Sequence, residues 1–322
     1  MKNVLVTGCA GFIGSHLAEA LIKEGYNVWG IDNFHPYYSP IIKRDNIEEI
    51  KKTAEEHNGT FNFIEGSILN DKDIDKIPNE IDTVFHLAAI AGVRNSIRNP
   101  VPYFQINVEG TVRLLKKFKD SKFIYASSSS VYGDVPEEDL PVSEDRKLTP
   151  ICPYALSKKN AEEVCEMFSE IYGTQITALR FYTVYGPRQR PDEAFTKFIR
   201  ASLKGEPITI YGDGEQTRDF TYVGDIVKGN LLAAKKLKSG FHLYNLGSCR
   251  RVSVNDMVKN ISDLIDTEIT NIPPPKGDVR NTHANISKAK KELGFEPTMP
   301  LKEGTKACIE WCKKSHKKGL FD

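Results

Sequence analysis

The chain is expected to fold as an α/β protein: a doubly wound parallel sheet with helices on both faces, followed by a smaller C-terminal α/β lobe. Three observations predict this. Short apolar runs alternate with helix-spaced segments from Asn3 to Ala126. A glycine-rich turn separates the first apolar run from the first helix. From about Tyr185 onward, glycine and proline punctuate shorter elements, at Gly186-Pro187, Gly205-Glu206-Pro207, Gly212-Asp213-Gly214 and Pro273-Pro274-Pro275.

The expected strands are Asn3–Val6, Asn27–Ile31, Phe61–Ile64, Thr83–Leu87 and Lys122–Ala126. The run after Gly11 (Ile13, Leu17, Ala20, Leu21) keeps helical spacing and stops near Gly25. Further helices are expected over Pro102–Phe118 and Pro153–Tyr172, and a strand around Gln175–Arg180 returns to the sheet. These place a large nucleotide-binding unit at 1–184 and a smaller lobe at 185–322, with the chain free to cross between them more than once. Such a lobe forms one wall of a cleft.

Composition narrows the function. Of 322 residues, 40% are apolar and 27% charged, which is ordinary for a globular protein. The 44 basic and 43 acidic side chains nearly cancel, so no global field favours nucleic acid or an anionic membrane. No apolar run reaches transmembrane length. The N-terminus enters a strand pattern at once, leaving no room for a signal peptide. Cysteines 9, 152, 165, 249, 308 and 312 form no C-x-x-C pair, and the seven histidines show no H-E-x-x-H. Reduced thiols in a cytoplasmic protein without a metal site are expected; Cys308 and Cys312 share a helix face but lack a third ligand.

Thr7-Gly8-Cys9-Ala10-Gly11-Phe12-Ile13-Gly14 follows a strand and opens a helix. Gly8 allows the tight turn, Gly11 lets backbone approach a diphosphate, and Gly14 lets helix pack on strand. The helix N-terminus then offers free N–H groups and a favourable dipole to the anion. Asp32 ends the second strand at the spacing of a Rossmann-type βαβ unit. Its carboxylate can accept the adenosine ribose hydroxyls and repel a 2′-phosphate, and no arginine adjoins it, so NAD is favoured over NADP.

Ser127-Ser128-Ser129-Ser130 follows the fifth strand, where a parallel sheet delivers side chains to the ligand crevice. Tyr154 and Lys158 stand four apart at a helix start and project from one face. A phenol with pKa near 10 is a poor base at neutral pH. Bringing it near 7 takes about 4 kcal/mol of differential interaction, which Lys158 and a cationic nicotinamide together can supply.

These residues resemble the extended short-chain dehydrogenase/reductase family, and within it the nucleotide-sugar 4-epimerases, closest in motifs to those acting on UDP-glucuronate. The resemblance runs through nearly the whole chain: T-G-x-x-G-F-I-G, His86-Leu87-Ala88-Ala89, Asn107-Val108-x-Gly110-Thr111, Val131-Tyr132-Gly133, Tyr154/Lys158, and Arg180-Phe181-x-Thr183-Val184-Tyr185-Gly186-Pro187. It implies Ser128 as the catalytic hydroxyl, Tyr154 as acid/base, and Lys158 on the nicotinamide ribose. For NAD it implies contacts from Gly8, Gly11, Phe12, Ile13, Gly14, Asp32, Asn33, Leu87, Ala88, Ala89 and Asn107. Relatives usually carry Gly-Asp after the third strand, the aspartate meeting the adenine amine. Here Gly66-Ser67 stands instead, and Ser67 with the N–H of Ile68 is expected to make a weaker adenine contact.

For a UDP-sugar, the resemblance implies that Pro207–Gly212, with Thr209 and Tyr211, borders uracil, and that Arg218 and Arg280 reach the diphosphate. Thr183, Ser129 and Ser130 line the sugar. Similar 4,6-dehydratases place Asp-Glu directly after the catalytic Ser/Thr, and decarboxylases Ser-Glu. Ser129 and Ser130 offer no carboxylate, which favours epimerisation over those alternatives. A catalytically silent nucleotide-binding protein is the remaining alternative, disfavoured by the intact Ser128, Tyr154 and Lys158. Arg190 matches the arginine that meets the carboxylate of glucuronate, and Arg94 with Asp32-Asn33-Phe34-x-x-Tyr37-Tyr38-x-Pro40 resembles the same subgroup. The same guanidinium could pair instead with Asp192 or Glu193. Thr282 stands where a tyrosine blocks N-acetyl groups in epimerases confined to glucose and galactose. The expected substrate order is therefore UDP-glucuronate/galacturonate, then the N-acetylhexosamine pair, then UDP-glucose/galactose. Relatives dimerise through the helices corresponding to 102–118 and 153–172, so a homodimer is expected.

Overall fold

A computed structural model of the chain describes residues 2–273 and 279–321. In chain order the strands are β1 (Asn3–Thr7), β2 (Asn27–Asp32), β3 (Thr60–Glu65), β4 (Thr83–His86), β5 (Lys122–Ser128), β6 (Ile176–Phe181), β7 (Thr183–Tyr185), β8 (Ile208–Tyr211), β9 (Thr217–Tyr222), β10 (Phe241–Leu246), β11 (Arg251–Ser253) and β12 (Ile269–Ile272). Seven of them form one sheet in the order β10-β6-β5-β4-β1-β2-β3, parallel at every pairing. The order reverses between β1 and β4, and that switch point is where an open α/β sheet leaves its ligand crevice.

Central strands read as continuous apolar runs because helices cover both faces. Val4, Leu5 and Val6 of β1 are buried, as are Phe123, Ile124 and Tyr125 of β5. Helix α1 (Phe12–Lys23) buries Phe12, Leu17, Ala18, Leu21 and Ile22 against the sheet and stops before Gly25, whose φ of 82° no side chain favours.

Two features differ from the sequence expectation, and a third specifies a crossing that it left open. First, helix α2 (Pro40–Glu56) fills a stretch for which no element was assigned. Pro40 occupies its first turn, where a missing N–H costs nothing, and Ile42, Ile47 and Ile50 give it a buried face. Second, the helix expected over Pro102–Phe118 is interrupted. It runs as α-helix over Val101–Phe104, as a π turn over Gln105–Glu109, and as α-helix again over Gly110–Lys117. The cause is Asn107. Its buried side chain donates to the Ile90 carbonyl (3.0 Å) and to Ser157 Oγ (2.9 Å) and accepts the Ile90 N–H (2.9 Å), drawing the widened turn inward. Third, the chain comes back to the large sheet after leaving it, and β10 becomes its outer strand beside β6.

The smaller lobe holds a three-stranded sheet, β11-β9-β7, and the two-stranded β12-β8. Its core gathers Tyr185, Phe195, Ile199, Phe220 and Met257 with Cys308 and Cys312 of the C-terminal helix Leu301–Lys317. All six cysteines are free. Five are buried as expected, whereas Cys249 is exposed. The Pro273-Pro274-Pro275 punctuation lies outside the described residues from Pro274 onward.

Candidate active site

A cavity of about 520 Å³ opens at the carboxyl ends of the sheet, lined by both lobes. Its floor is the glycine turn. Gly8 has φ 69°, and a Cβ there would meet the Ala88 backbone at 2.9 Å; one on Gly14 would lie 2.1 Å from the Gly8 carbonyl oxygen. Gly11 caps α1 without any side-chain hydrogen bond, so the first N–H groups of the helix remain available to an anion. The turn therefore fits a dinucleotide diphosphate on the evidence of its own sterics.

The wall above it is fixed by His86. This buried imidazole lies between Thr7 Oγ1 (2.8 Å from Nδ1) and Thr111 Oγ1 (2.9 Å from Nε2), and Thr7 Oγ1 also receives the Ala88 N–H at 3.1 Å. Burial, reinforced by the charge of Lys158, pushes the His86 pKa down to about 3 and keeps the ring neutral. One ring thus ties β1, β4 and a helix, and sets Leu87, Ala88 and Ala89 along the cavity.

At the end of the cavity beside β2 and β3 stand Asp32, Asn33, Ser67 and Ile68. Asp32 accepts N–H bonds from Phe34 (2.8 Å) and Ala10 (3.2 Å). The Ser67 N–H is taken by Asp73 at 3.0 Å and its hydroxyl receives Leu69 N–H at 3.2 Å, which closes a tight turn. Asn107 does not reach the cavity; its amide is spent on Ile90 and Ser157 behind the wall.

At the other end, β5 delivers Ser128 and the helix Pro153–Tyr172 delivers Tyr154 and Lys158, all three on the cavity surface. Ser130 donates its hydroxyl to Ser128 Oγ at 2.9 Å and its N–H at 3.2 Å; Ser129 and Ser130 lie beside the cavity rather than on it. Lys158 is 4% exposed, donates to the Ala126 carbonyl at 2.7 Å, and lies 5.0 Å from the Tyr125 ring centroid. Burial lowers its pKa to about 8, with Glu162 opposing. Tyr154 is raised by burial, while a hydrogen bond with Ser128 and the charge of Arg190 pull it down. The protein alone thus leaves the phenol protonated, and Arg190 is a cation near enough to favour its phenolate.

The predicted sugar-side residues divide. Thr183 and Arg190 line the cavity. Arg94 lies 5.1 Å over the Tyr211 ring, which Lys197 also approaches at 5.5 Å, and Lys197 borders a second cavity of about 250 Å³ with Thr209, Pro207 and Phe198. Arg218 donates to the carbonyls of Thr217 and Arg280, and Arg280 pairs with Asp213 at 3.4 Å. Thr282 accepts the Asp219 N–H at 3.1 Å. Sequence reasoning missed Lys43 and assigned no site role to Gln189, both cavity-lining, as are Tyr38 and Glu193. Lys43 went unseen because α2 did.

The fold and the site define a short-chain dehydrogenase/reductase. Residues 4–247 match the NAD dependent epimerase/dehydratase family, and the chain belongs to it as an NAD-dependent epimerase. It is 40% identical to the UDP-glucuronate 4-epimerase of Thermodesulfobacterium geofontis, over 98% of this chain and 97% of that one. The crystal structure of UDP-glucuronic acid 4-epimerase from Bacillus cereus, in complex with UDP-glucuronic acid and NAD, superposes with TM-score 0.89 at 38% identity, covering 97% and 99% of the two chains. The UDP-N-acetylglucosamine 4-epimerase of Methanobrevibacter ruminantium, in complex with UDP-N-acetylmuramic acid, gives 0.87 at 34% identity, covering 98% and 99%.

Lys158→Met is expected to raise the urea midpoint of nucleotide-free protein at pH 7 while abolishing activity. The folded lysine sheds its proton near pH 8 and the unfolded one near 10.5, so the unfolded state binds more protons between them and stability rises with pH across that window. The advantage of the variant therefore shrinks from pH 8 towards 10.5. A variant less stable than wild type at pH 7 contradicts this.

Proposed function

We propose that the protein is a UDP-sugar 4-epimerase whose preferred pair is UDP-glucuronate and UDP-galacturonate. The observation that carries the choice of sugar is Arg190, a guanidinium on the cavity wall near enough to Tyr154 to act on its charge. Its Nε and Nη2 bond Asp192 at 3.0 and 3.1 Å, and Nη2 also meets Glu193 at 2.9 Å. Nη1 has no hydrogen-bond partner among the described residues. Asp192 and Glu193 orient the group and leave one edge for a substrate carboxylate, a charged hydrogen bond contributing about 1.5–3 kcal/mol. Similarity to UDP-glucuronate epimerases supports the same order. The N-acetylhexosamine pair ranks second, on the modest size of Thr282 and the likeness to the methanogen enzyme.

Tyr154 takes the proton of the sugar 4-hydroxyl and later returns it, with Ser128 donating to the same oxygen and aligning it. Lys158, anchored on the Ala126 carbonyl, binds the nicotinamide ribose and adds positive charge beneath the phenol. NAD, when bound, supplies a hydride acceptor for C4 and then the donor to its opposite face. Interactions with UDP retain the flat 4-keto sugar while it turns. Ser129 and Ser130 provide no second acid or base, so neither elimination nor decarboxylation is assisted.

A homodimer fits the exposed apolar side chains on neighbouring helices: Ile97 and Val101, and Leu156, Met167, Ile171 and Tyr172 on the helix that carries Tyr154. A cytoplasmic setting fits the six free thiols. Light scattering on wild type is expected to give twice the chain mass, and Ile171→Glu the chain mass alone; a monomeric wild type contradicts the dimer.

Tyr154→Phe is expected to lower turnover at least a hundredfold with UDP-sugar affinity nearly intact, because only the hydroxyl is lost. Near-normal turnover contradicts the assignment. For the sugar, kcat/KM is compared for the three UDP-sugar pairs in wild type and Arg190→Ala. Wild type is expected to favour the uronate pair, with that preference falling at least tenfold in the variant. A preference for the N-acetylated pair that the substitution leaves unchanged overturns the carboxylate reading.

A further inference from the structure

Beside Asp32 the cavity wall holds a buried ammonium. Lys43, in the first turns of α2, is 6% exposed and lines the cavity with Asp32, Asn33, His35 and Tyr38. It donates to the His35 carbonyl at 2.6 Å, and the Tyr38 ring centroid lies 4.4 Å from its nitrogen. An ammonium has three N–H donors. Among the described residues Lys43 has no other hydrogen-bond acceptor and no ion pair within 4.0 Å. Asp32 is near enough for each charge to act on the other, yet its carboxylate is held by the N–H groups of Phe34 and Ala10. A charge so buried and so incompletely satisfied is costly unless a ligand meets it.

We propose that Lys43 is a cofactor-binding residue at the adenosine ribose, and that the Asp32–Lys43 pair, rather than Asp32 alone, sets the choice between NAD and NADP. The carboxylate accepts from the ribose hydroxyls while the ammonium donates to one of their oxygens. Together they form a neutral acceptor–donor pair matched to a neutral diol. A 2′-phosphate brings about −1.5 to −2 charge and is turned away by Asp32. With the carboxylate neutralised, Lys43 becomes a cation without a counter-charge on the cavity wall, and hence a receptor for that phosphate. Arg44, the next residue, is the rival cation. Its guanidinium stacks 4.2 Å over Phe34, pairs with Glu65 at 3.2 Å, and does not line the cavity.

The test reads bound nucleotide rather than turnover. Purified wild type, Asp32→Asn, Lys43→Met, the double variant and Arg44→Gln are equilibrated with equimolar NAD⁺ and NADP⁺, and the retained nucleotides are released and separated. Wild type and Arg44→Gln are expected to retain NAD⁺ almost alone. Lys43→Met is expected to retain at least tenfold less NAD⁺ at limiting concentration. Asp32→Asn is expected to shift the retained ratio towards NADP⁺ at least tenfold, and the shift shrinks below threefold when Lys43→Met is added. Lys43→Gln repeats the series if the methionine variant does not fold. Equal shifts in both backgrounds, NAD⁺ retention in Lys43→Met within twofold of wild type, or NADP⁺ binding that disappears in Asp32→Asn/Arg44→Gln instead, overturn the proposal.

Discussion

The buried pair Glu162–Arg180 is the interaction on which the rest of the site depends. Arg180, on β6, meets both oxygens of Glu162 at 2.9 and 2.7 Å, and both side chains are nearly inaccessible. Glu162 also accepts the hydroxyl of Ser127, the neighbour of Ser128, and sits one turn beyond Lys158. Arg180 donates in addition to Tyr132 Oη (2.9 Å), which in turn donates to Asn245 on β10 (2.7 Å). One ion pair thus fixes the strand that delivers Ser128, the helix that delivers Tyr154 and Lys158, and the strand on which the chain returns from the smaller lobe. Removing either partner leaves an uncompensated buried charge, a loss of about 3–5 kcal/mol, comparable to much of a domain's stability.

A second set of contacts ties the smaller lobe to the cofactor helix. His16 on α1 bonds the Pro187 carbonyl through Nε2 at 2.9 Å, and Arg188 pairs with Glu19 of the same helix at 2.7 Å. Burial and the charge of Arg188 hold the His16 pKa near 3, so the ring is neutral. Arg188 adopts φ 66°, a left-handed conformation uncommon for a side chain of its size. Those anchors carry Arg190 over the cavity, so the loop that would read the sugar is braced on the helix that would bind the diphosphate.

Much of this was legible in the sequence, for physical reasons that can be named. The glycine turn, Asp32 and the Tyr154/Lys158 pair are local patterns whose spacing alone fixes their geometry. Helix α2 was not legible, because Tyr37-Tyr38 and a proline mask its start and its buried face is narrow. With it went Lys43, a cation near enough to Asp32 to act on its charge. The π turn was equally hidden, since a side chain inserted from within a helix leaves the apolar period almost unchanged. Asn107 was read as a cofactor contact from its motif, and its amide bonds Ile90 and Ser157. Arg190 was read for the sugar carboxylate, whereas the fold also brings it near enough to act on the charge of Tyr154. Such long-range pairings depend on how strands and loops meet, which no spacing encodes.

The central claim is that the site moves a hydride off C4 of a UDP-sugar and returns that same hydride to the opposite face. UDP-glucuronate deuterated at C4 tests it directly, with the product isolated after partial conversion in ordinary water. The account predicts that UDP-galacturonate keeps the deuterium at C4, without net accumulation of NADH. Protium from solvent at C4 would contradict it, because inversion would then proceed by proton exchange at carbon and the geometry around Tyr154 would require another explanation.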